Sequence, residues 1–244
     1  VYESFWTDNQ NHNTNANRQA NKNTAGDGKF DQSTVAASEI KLRVGRVDFY
    51  NMPAFEESEM ELLKNYLAKD HAYRTGEMAL KFRGLIDDNF APHRGLWSGF
   101  AGSGWRNFGV LVGADSIFKK DWFNTLSTDN YLWAFGCGGG TYTSCGGIGR
   151  TFHEDTSKKN NFVASPVNAV FTMLFGSYFG DWDSKNNILR ATLCSKPSVL
   201  TCAWAGRPHW YYHPMALGYP IGYGARLSMN NGGNTYKANY YYFN

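Results

Sequence analysis

The chain has 244 residues, of which 42% are hydrophobic and 18% charged, and its formal net charge is only +3. This length and apolar content suffice for a sizeable core. A nearly balanced charge without a long Lys/Arg run argues against nucleic-acid binding, and no segment offers the roughly 20 apolar residues that a membrane span needs.

The first 39 residues are predicted to be an irregular, Asn-rich segment, because residues 8–32 lack the apolar periodicity of a helix or strand. Its end carries Asn23, Asp27 and Asp31 around Gly28, and these three residues are a calcium-site candidate, because their side-chain oxygens cluster around a turn glycine. The spacing lacks the alternating acids of an EF-hand, so an ordinary Asp-Gly turn is the alternative. No other cofactor is expected.

The following domain is predicted to span residues 40–244. Ile40 to Phe49 alternates apolar and polar residues and predicts a strand, and Ser58 with Glu61 predicts the capping box of a helix over residues 55–72. Leu80 to Ile86 predicts a second strand and Ala101 to Val112 a second helix.

Three short apolar runs each end in a glycine turn: Tyr131–Gly136, Ala169–Phe175 and Val199–Ala205. Continuously apolar runs are typical of strands buried on both faces of a parallel sheet. Helices are predicted between and after them, over Asn187–Leu193 and His213–Tyr223. The pattern therefore predicts an α/β fold with a doubly wound, mostly parallel sheet flanked by helices.

Ligands of such sheets bind beyond the carboxyl ends of the strands, where these glycine turns lie. The turn after Tyr131–Gly136 offers Cys137 and the backbone amides of Gly138 and Gly139, which could form an oxyanion hole. The two later turns offer candidate binding residues: Ser177, Asp181, Arg207 and His213. His209 follows the third strand and is the candidate general base.

The four cysteines form two pairs with seven residues between the members of each pair, Cys137 with Cys145 and Cys194 with Cys202. Local disulfides in an oxidising compartment are one interpretation. A thiolate–imidazolium pair between Cys137 and His209 is the other. The two interpretations exclude each other for Cys137, and both stay open at this point.

The order of motifs resembles the gingipain-like cysteine peptidases. Val44-Gly45-Arg46 and the long helix after it are similar to the family's strand with a (V/I)GR motif and its following helix. Tyr131–Thr141 is similar to the strand that ends in the family's Gly-His-Gly turn, and Ala169–Gly180 to the strand that ends at its nucleophilic Cys. Leu200–Trp210 resembles the next strand. The resemblance implies a caspase-like fold.

The two catalytic positions of that family are not matched. Cys137 stands where the resemblance places the His, and Phe175 stands near the place of the Cys. A phenylalanine can neither attack a carbonyl nor carry charge. The resemblance therefore favours a catalytically inactive domain, secreted or on the cell surface, that binds a peptide or protein ligand or holds other domains of a longer parent protein.

Two alternatives remain for the function. The first is an active cysteine endopeptidase with a rearranged site, in which Cys137 is the nucleophile, His209 the base (His213 the second choice), and the Gly138 and Gly139 amides the oxyanion donors. The second is a structural or adhesive protein of the cell envelope, which the abundance of Trp, Tyr and Asn would suit.

Overall fold

A parallel sheet forms the centre of the molecule in the computed structural model, which describes residues 41–91, 99–180, 184–204 and 210–230. Its five strands are all parallel and lie in the order β2-β1-β3-β7-β8. Their bounds are Gly84–Asp88 (β1), Ile117–Lys119 (β2), Tyr131–Cys137 (β3), Ala169–Phe175 (β7) and Thr201–Trp204 (β8). The predicted α/β class with a mostly parallel sheet is confirmed, and the arrangement is consistent with a caspase-like fold.

The described helices and the small second sheet connect these strands. The helices are Glu59–Arg74 (α1), Gly102–Leu111 (α2), Trp122–Leu126 (α3), Ile188–Cys194 (α4) and Ile221–Met229 (α5), with 3-10 turns at Gly99–Ala101, Ala114–Ser116 and His213–Leu217. Three two-residue strands form an antiparallel meander between β3 and β7: Gly140–Thr141 (β4), Ser144–Cys145 (β5) and Gly149–Arg150 (β6).

The sheet is covered by helices on both faces, and this explains its continuously apolar strands. One apolar cluster contains residues of α1, α3 and α4 together with Ala134 and Leu174 of the sheet. The cluster on the opposite face contains Phe108 of α2 and Met229 of α5, together with Phe135. Because successive strand residues point to opposite faces, β3 and β7 must be apolar at almost every position.

Two helix starts follow from their capping residues. Ser58 and Glu61 form the predicted capping box, although α1 begins at Glu59 rather than at residue 55. Asn187 accepts hydrogen bonds from the backbone amides of Leu189 and Arg190 and thereby caps α4. In both cases the side chain satisfies amide groups that have no partner within the helix.

Three sequence predictions need correction. Residues 41–49 form neither a helix nor a strand, because the alternating pattern that predicted a strand finds no neighbouring strand in the sheet. The second strand starts later than predicted, at Gly84. The predicted helix over His213–Tyr223 is divided into a 3-10 turn and α5 by Gly218, which has a left-handed φ of 84°, and by Pro220 at the start of α5.

None of the helices in the described part of the chain is long and apolar enough to cross a membrane.

Candidate functional site

The carboxyl ends of β1, β3 and β7 lie side by side. In the strand register Asp88 is opposite Cys137, and Cys137 is opposite Phe175. The chain leaves β1 towards β2 on one side of it, whereas β3 lies on the other side. The gap between β1 and β3 is therefore the topological switch point, where open α/β sheets bind their ligands.

Cys137 lies at this switch point but is completely buried, with 0% of its surface exposed. Its thiol donates a hydrogen bond to Oδ1 of Asp88 at 3.2 Å, and the backbone amide of Phe90 donates to the same oxygen at 3.1 Å. Reactive cysteines have cationic neighbours and partial exposure, which favour the thiolate. Complete burial denies the Cys137 thiol the exposure that a reactive cysteine needs.

Asp87 lies beside this pair but faces the other side of the sheet. Its carboxylate accepts hydrogen bonds from the backbone amide of Trp122, the first residue of α3, and from the side-chain amide of Asn89, both at 2.8 Å. Burial nevertheless raises the pKa of Asp87 to about 6, since it outweighs these two hydrogen bonds, and the nearby charges of Asp121 and Asp88 raise it further. Asp87 is thus a buried acid that titrates near neutral pH.

Glycines near the carboxyl ends of the strands allow the loops there to pack closely against one another. A methyl group at Gly138 would overlap the carbonyl oxygen of Gly146, and one at Gly147, whose φ is 80°, would overlap the side chain of Asn89. The amide of Gly138 donates to the carbonyl of Phe175 at 3.0 Å. In the structure this amide, one of the two predicted oxyanion donors, is therefore already engaged within the protein.

Three phenylalanine rings lie on the same face of the sheet as Cys137 and belong to the same apolar cluster. Phe100 stacks on Phe175 with 4.7 Å between the ring centroids, and Phe90 lies 4.9 Å from Phe100 and 6.1 Å from Phe175. Phe175 thus fills, with aromatic carbon, the place that the resemblance gives to a nucleophile. The described edge is closed by apolar packing rather than open around a thiol.

None of the four cysteines forms a disulfide in the structure, so neither predicted local disulfide is present there. Cys137 and Cys145 belong to the apolar clusters on opposite faces of the sheet, which explains why these two thiols do not meet. Burial raises the pKa of Cys194 and of Cys202 to about 12, and it raises the pKa of Cys145 further still. At neutral pH these three thiols keep their protons.

Two other predicted site residues are exposed. Ser177 lies in the turn after β7, against the backbone of Gly140. His213 opens a 3-10 turn, and the residue before it, Tyr212, stacks on Trp133 at 5.3 Å. Trp133 precedes Cys137 by four residues, or about 13 Å along a strand. His213 is exposed, whereas Cys137 is completely buried.

The remaining predicted site residues lie outside the described residues. They are Asp181 and Arg207 as binding candidates, His209 as the candidate base, and Asn23, Asp27 and Asp31 as the calcium candidate. Within the described ranges, no group of three or more His, Cys, Asp or Glu side chains is placed to hold a metal ion.

The sequence analysis did not identify the two acids at the carboxyl end of β1, Asp87 and Asp88. Asp87 and Asp88 follow directly on the apolar strand over Leu80–Ile86, so an adjacent acid pair at a strand end was the available signal. What the sequence does not show is that β1 and β3 are neighbours. That adjacency is what brings Asp88 to Cys137.

Another buried ionisable group lies near the amino ends of the strands, at the other end of the sheet from Asp87. Lys69 of α1 is buried, and its ammonium donates to the carbonyls of Leu193 and Ser195 at the end of α4, at 2.7 and 2.9 Å. Burial lowers its pKa from 10.5 to about 8. It lines an open cavity of about 430 Å³ between α1 and the loops that precede β3, β7 and β8.

Comparisons with protein-family models, with curated proteins and with solved structures found no match for this chain.

Proposed function

We propose that the chain is a gingipain-like, caspase-fold domain without peptidase activity, which is secreted or displayed on a cell surface and acts in binding or assembly. The resemblance in motif order supports the family, and the parallel sheet flanked by helices is consistent with it. The location outside the cytoplasm is part of the proposal and is supported by composition alone.

The observation that carries the inactivity is the state of Cys137. A nucleophilic thiol must be accessible to the substrate carbonyl. Cys137 is completely buried and donates to Asp88. The equivalent end of β7 carries Phe175, whose ring stacks on Phe100.

The glycine loops support the same conclusion. An oxyanion hole consists of amides that point into the reaction space. The amide of Gly138 donates instead to Phe175, and the carbonyl of Gly139 accepts from Gly146 at 2.6 Å. These contacts join the loops to one another, which suits a domain that has kept the shape of the fold for a binding or assembly role.

A peptidase assay tests this proposal. The protein is incubated with a fluorogenic peptide library beside two matched variants, Cys137→Ser and Cys145→Ser, with folding checked by circular dichroism. We expect no cysteine-dependent hydrolysis from any of the three. Hydrolysis that Cys137→Ser and His209→Ala both abolish, while Cys145→Ser retains it, would overturn the proposal in favour of the rearranged peptidase.

A further inference from the structure

Two segments outside the carboxyl edge combine exposed apolar side chains with cations and form one surface. It is formed by residues 41–47 and 217–227, which contact each other: the guanidinium of Arg43 lies 5.3 Å from the ring centroid of Tyr223, and that of Arg226 lies 5.6 Å from it. Arg226 also donates to the carbonyl of Lys41 at 3.4 Å. We name this the basic aromatic surface.

Six apolar side chains of these two segments are exposed to solvent. Leu217 is 79% exposed, Leu42 60% and Tyr219 46%. Val44, Val47 and Leu227 are also exposed on the same two segments. Single exposed apolar residues are normal, whereas several on contiguous segments mark an interaction site.

The aromatic part is already ordered. Tyr219 stacks on Tyr223, with 4.4 Å between the ring centroids and 27° between the ring planes. Arg43 and Arg226 approach the same Tyr223 ring. Tyrosine and arginine held in place by stacking lose little conformational freedom on binding, which is why these residue types are frequent at interface centres.

The charges of the surface have one sign. The two cations beside the Tyr223 ring are Arg43 and Arg226, and residues 41–47 and 217–227 contain no Asp or Glu. A second copy of the chain would bring like charges together, so the surface does not complement itself. It complements a partner whose contact face carries carboxylates.

The backbone points to a protein rather than to a polysaccharide or another polyanion. Residues 41–47 have the alternating pattern of a strand, yet they form no strand in the structure. Exposed Leu and Val side chains have no role in binding a polyanion, whereas an added strand or sheet would cover them and pair with the backbone between them.

From these observations we infer that the basic aromatic surface is a docking site for a protein partner whose contact face is apolar and rimmed by carboxylates. The inference rests on the proposed role in binding or assembly and names the surface that performs it. It depends on neither the reactivity of Cys137 nor the carboxyl edge, so the peptidase assay and the binding test can fail independently.

Fluorescence anisotropy with defined peptides tests the inference. The main probe is a labelled 12-residue peptide of alternating Val and Glu. The comparison probes are peptides of alternating Ser and Glu and of alternating Val and Ser, together with labelled heparin. We expect the Val/Glu peptide to bind about tenfold or more tightly than each comparison probe, and its affinity to fall as salt increases.

Matched variants locate the binding. Arg43→Glu with Arg226→Glu reverses the charge of the surface, and Leu42→Ser with Val44→Ser removes part of its apolar area. Each pair should weaken binding of the Val/Glu peptide by about tenfold or more. The controls change exposed residues elsewhere, Lys119→Glu with Lys158→Glu and Phe82→Ser with Val110→Ser, and should leave the affinity within about twofold.

Three results would overturn the inference. The first is that the Val/Glu peptide does not bind at millimolar concentration. The second is that heparin or the Ser/Glu peptide binds equally well, which would make the surface a general anion site. The third is that the control pairs weaken binding as much as the surface pairs. The peptidase assay is unaffected by each of them.

Discussion

The carboxyl ends of the strands (the carboxyl edge) and their amino ends (the amino edge) both bury an ionisable group, but in different surroundings. At the carboxyl edge, Asp87 and the Asp88–Cys137 pair lie among glycine loops packed too closely to admit a methyl group at Gly138 or Gly147. At the amino edge, Lys69 borders an open cavity of about 430 Å³ and donates to two helix-end carbonyls. Among the residues that the structure describes, the edge at which this class of fold binds ligands is thus the closed one.

The comparison also predicts how the molecule responds to pH. Burial shifts both groups towards their neutral forms, since it raises the pKa of Asp87 to about 6 and lowers that of Lys69 to about 8. Between these two values both groups are charged while buried. In that interval the native state therefore bears the desolvation cost of both charges. Below it Asp87 is neutral, and above it Lys69 is neutral, so that only one buried charge remains.

The largest expected effect tests the close packing of the carboxyl edge. Gly138→Ala places a methyl group on the carbonyl oxygen of Gly146, a backbone atom that cannot move aside, so we expect it to lower the free energy of unfolding by about 3 kcal/mol. Gly139→Ala is the control, because its methyl group would meet no atom within 4 Å, and it should change stability by less than about 0.5 kcal/mol. Urea unfolding measures both, and equal losses would contradict the account.

The second prediction concerns Lys69 at the amino edge. In the unfolded chain its pKa is that of an ordinary lysine, 10.5, so between about pH 8 and 10.5 the unfolded state binds a proton that the native state has lost. Stability should therefore rise with pH across that window, by roughly 2–3 kcal/mol, relative to Lys69→Met.

The urea midpoint measured from pH 7.5 to 10.5 checks this prediction. Lys64→Met changes an exposed lysine of the same helix, and its pH profile should follow that of the wild type. A Lys69→Met profile parallel to the wild type would show that the buried ammonium does not titrate in this range.

The third and smallest effect belongs to Asp87. Its pKa is higher in the native state, about 6, than its ordinary value of 3.8, so the native state binds more protons between these values. The stabilisation is complete below about pH 4 and is lost as pH rises through 6. Relative to Asp87→Asn, the wild type should lose roughly 1–2 kcal/mol over this interval.

Thermal unfolding between pH 4 and 7 measures this difference. Asp115→Asn removes an exposed carboxylate and serves as the control. If the Asp87→Asn and Asp115→Asn profiles coincide, burial of Asp87 does not govern its titration.

The sequence predicted the strands well where burial alone decides them. Ala169–Phe175 was predicted with the bounds that the structure shows, because an apolar run closed by a glycine leaves little choice. The strand predicted over Ile40–Phe49 is not formed by residues 41–49, because a strand also needs a neighbouring strand to pair with. Ile117–Lys119 was missed because three residues are too few to show a period.

The candidate site was predicted only in part. Cys137 was recognised from its position after an apolar strand, but its partner Asp88 depends on the pairing of β1 with β3, which are separated by more than 40 residues of sequence. The glycines were interpreted as anion-binding amides. Their role in close packing depends on which loops meet, and local sequence does not contain that information.

The reactivity of Cys137 in the native protein tests the central claim most directly. Iodoacetamide is added to native and to urea-unfolded protein, and the adducts are mapped by mass spectrometry over time. The account predicts that Cys137 is labelled at least about a hundredfold more slowly in the native protein, because it is buried and donates to Asp88. Rapid labelling of Cys137 alone in the native protein, abolished by His209→Ala, would contradict the account and identify a nucleophile.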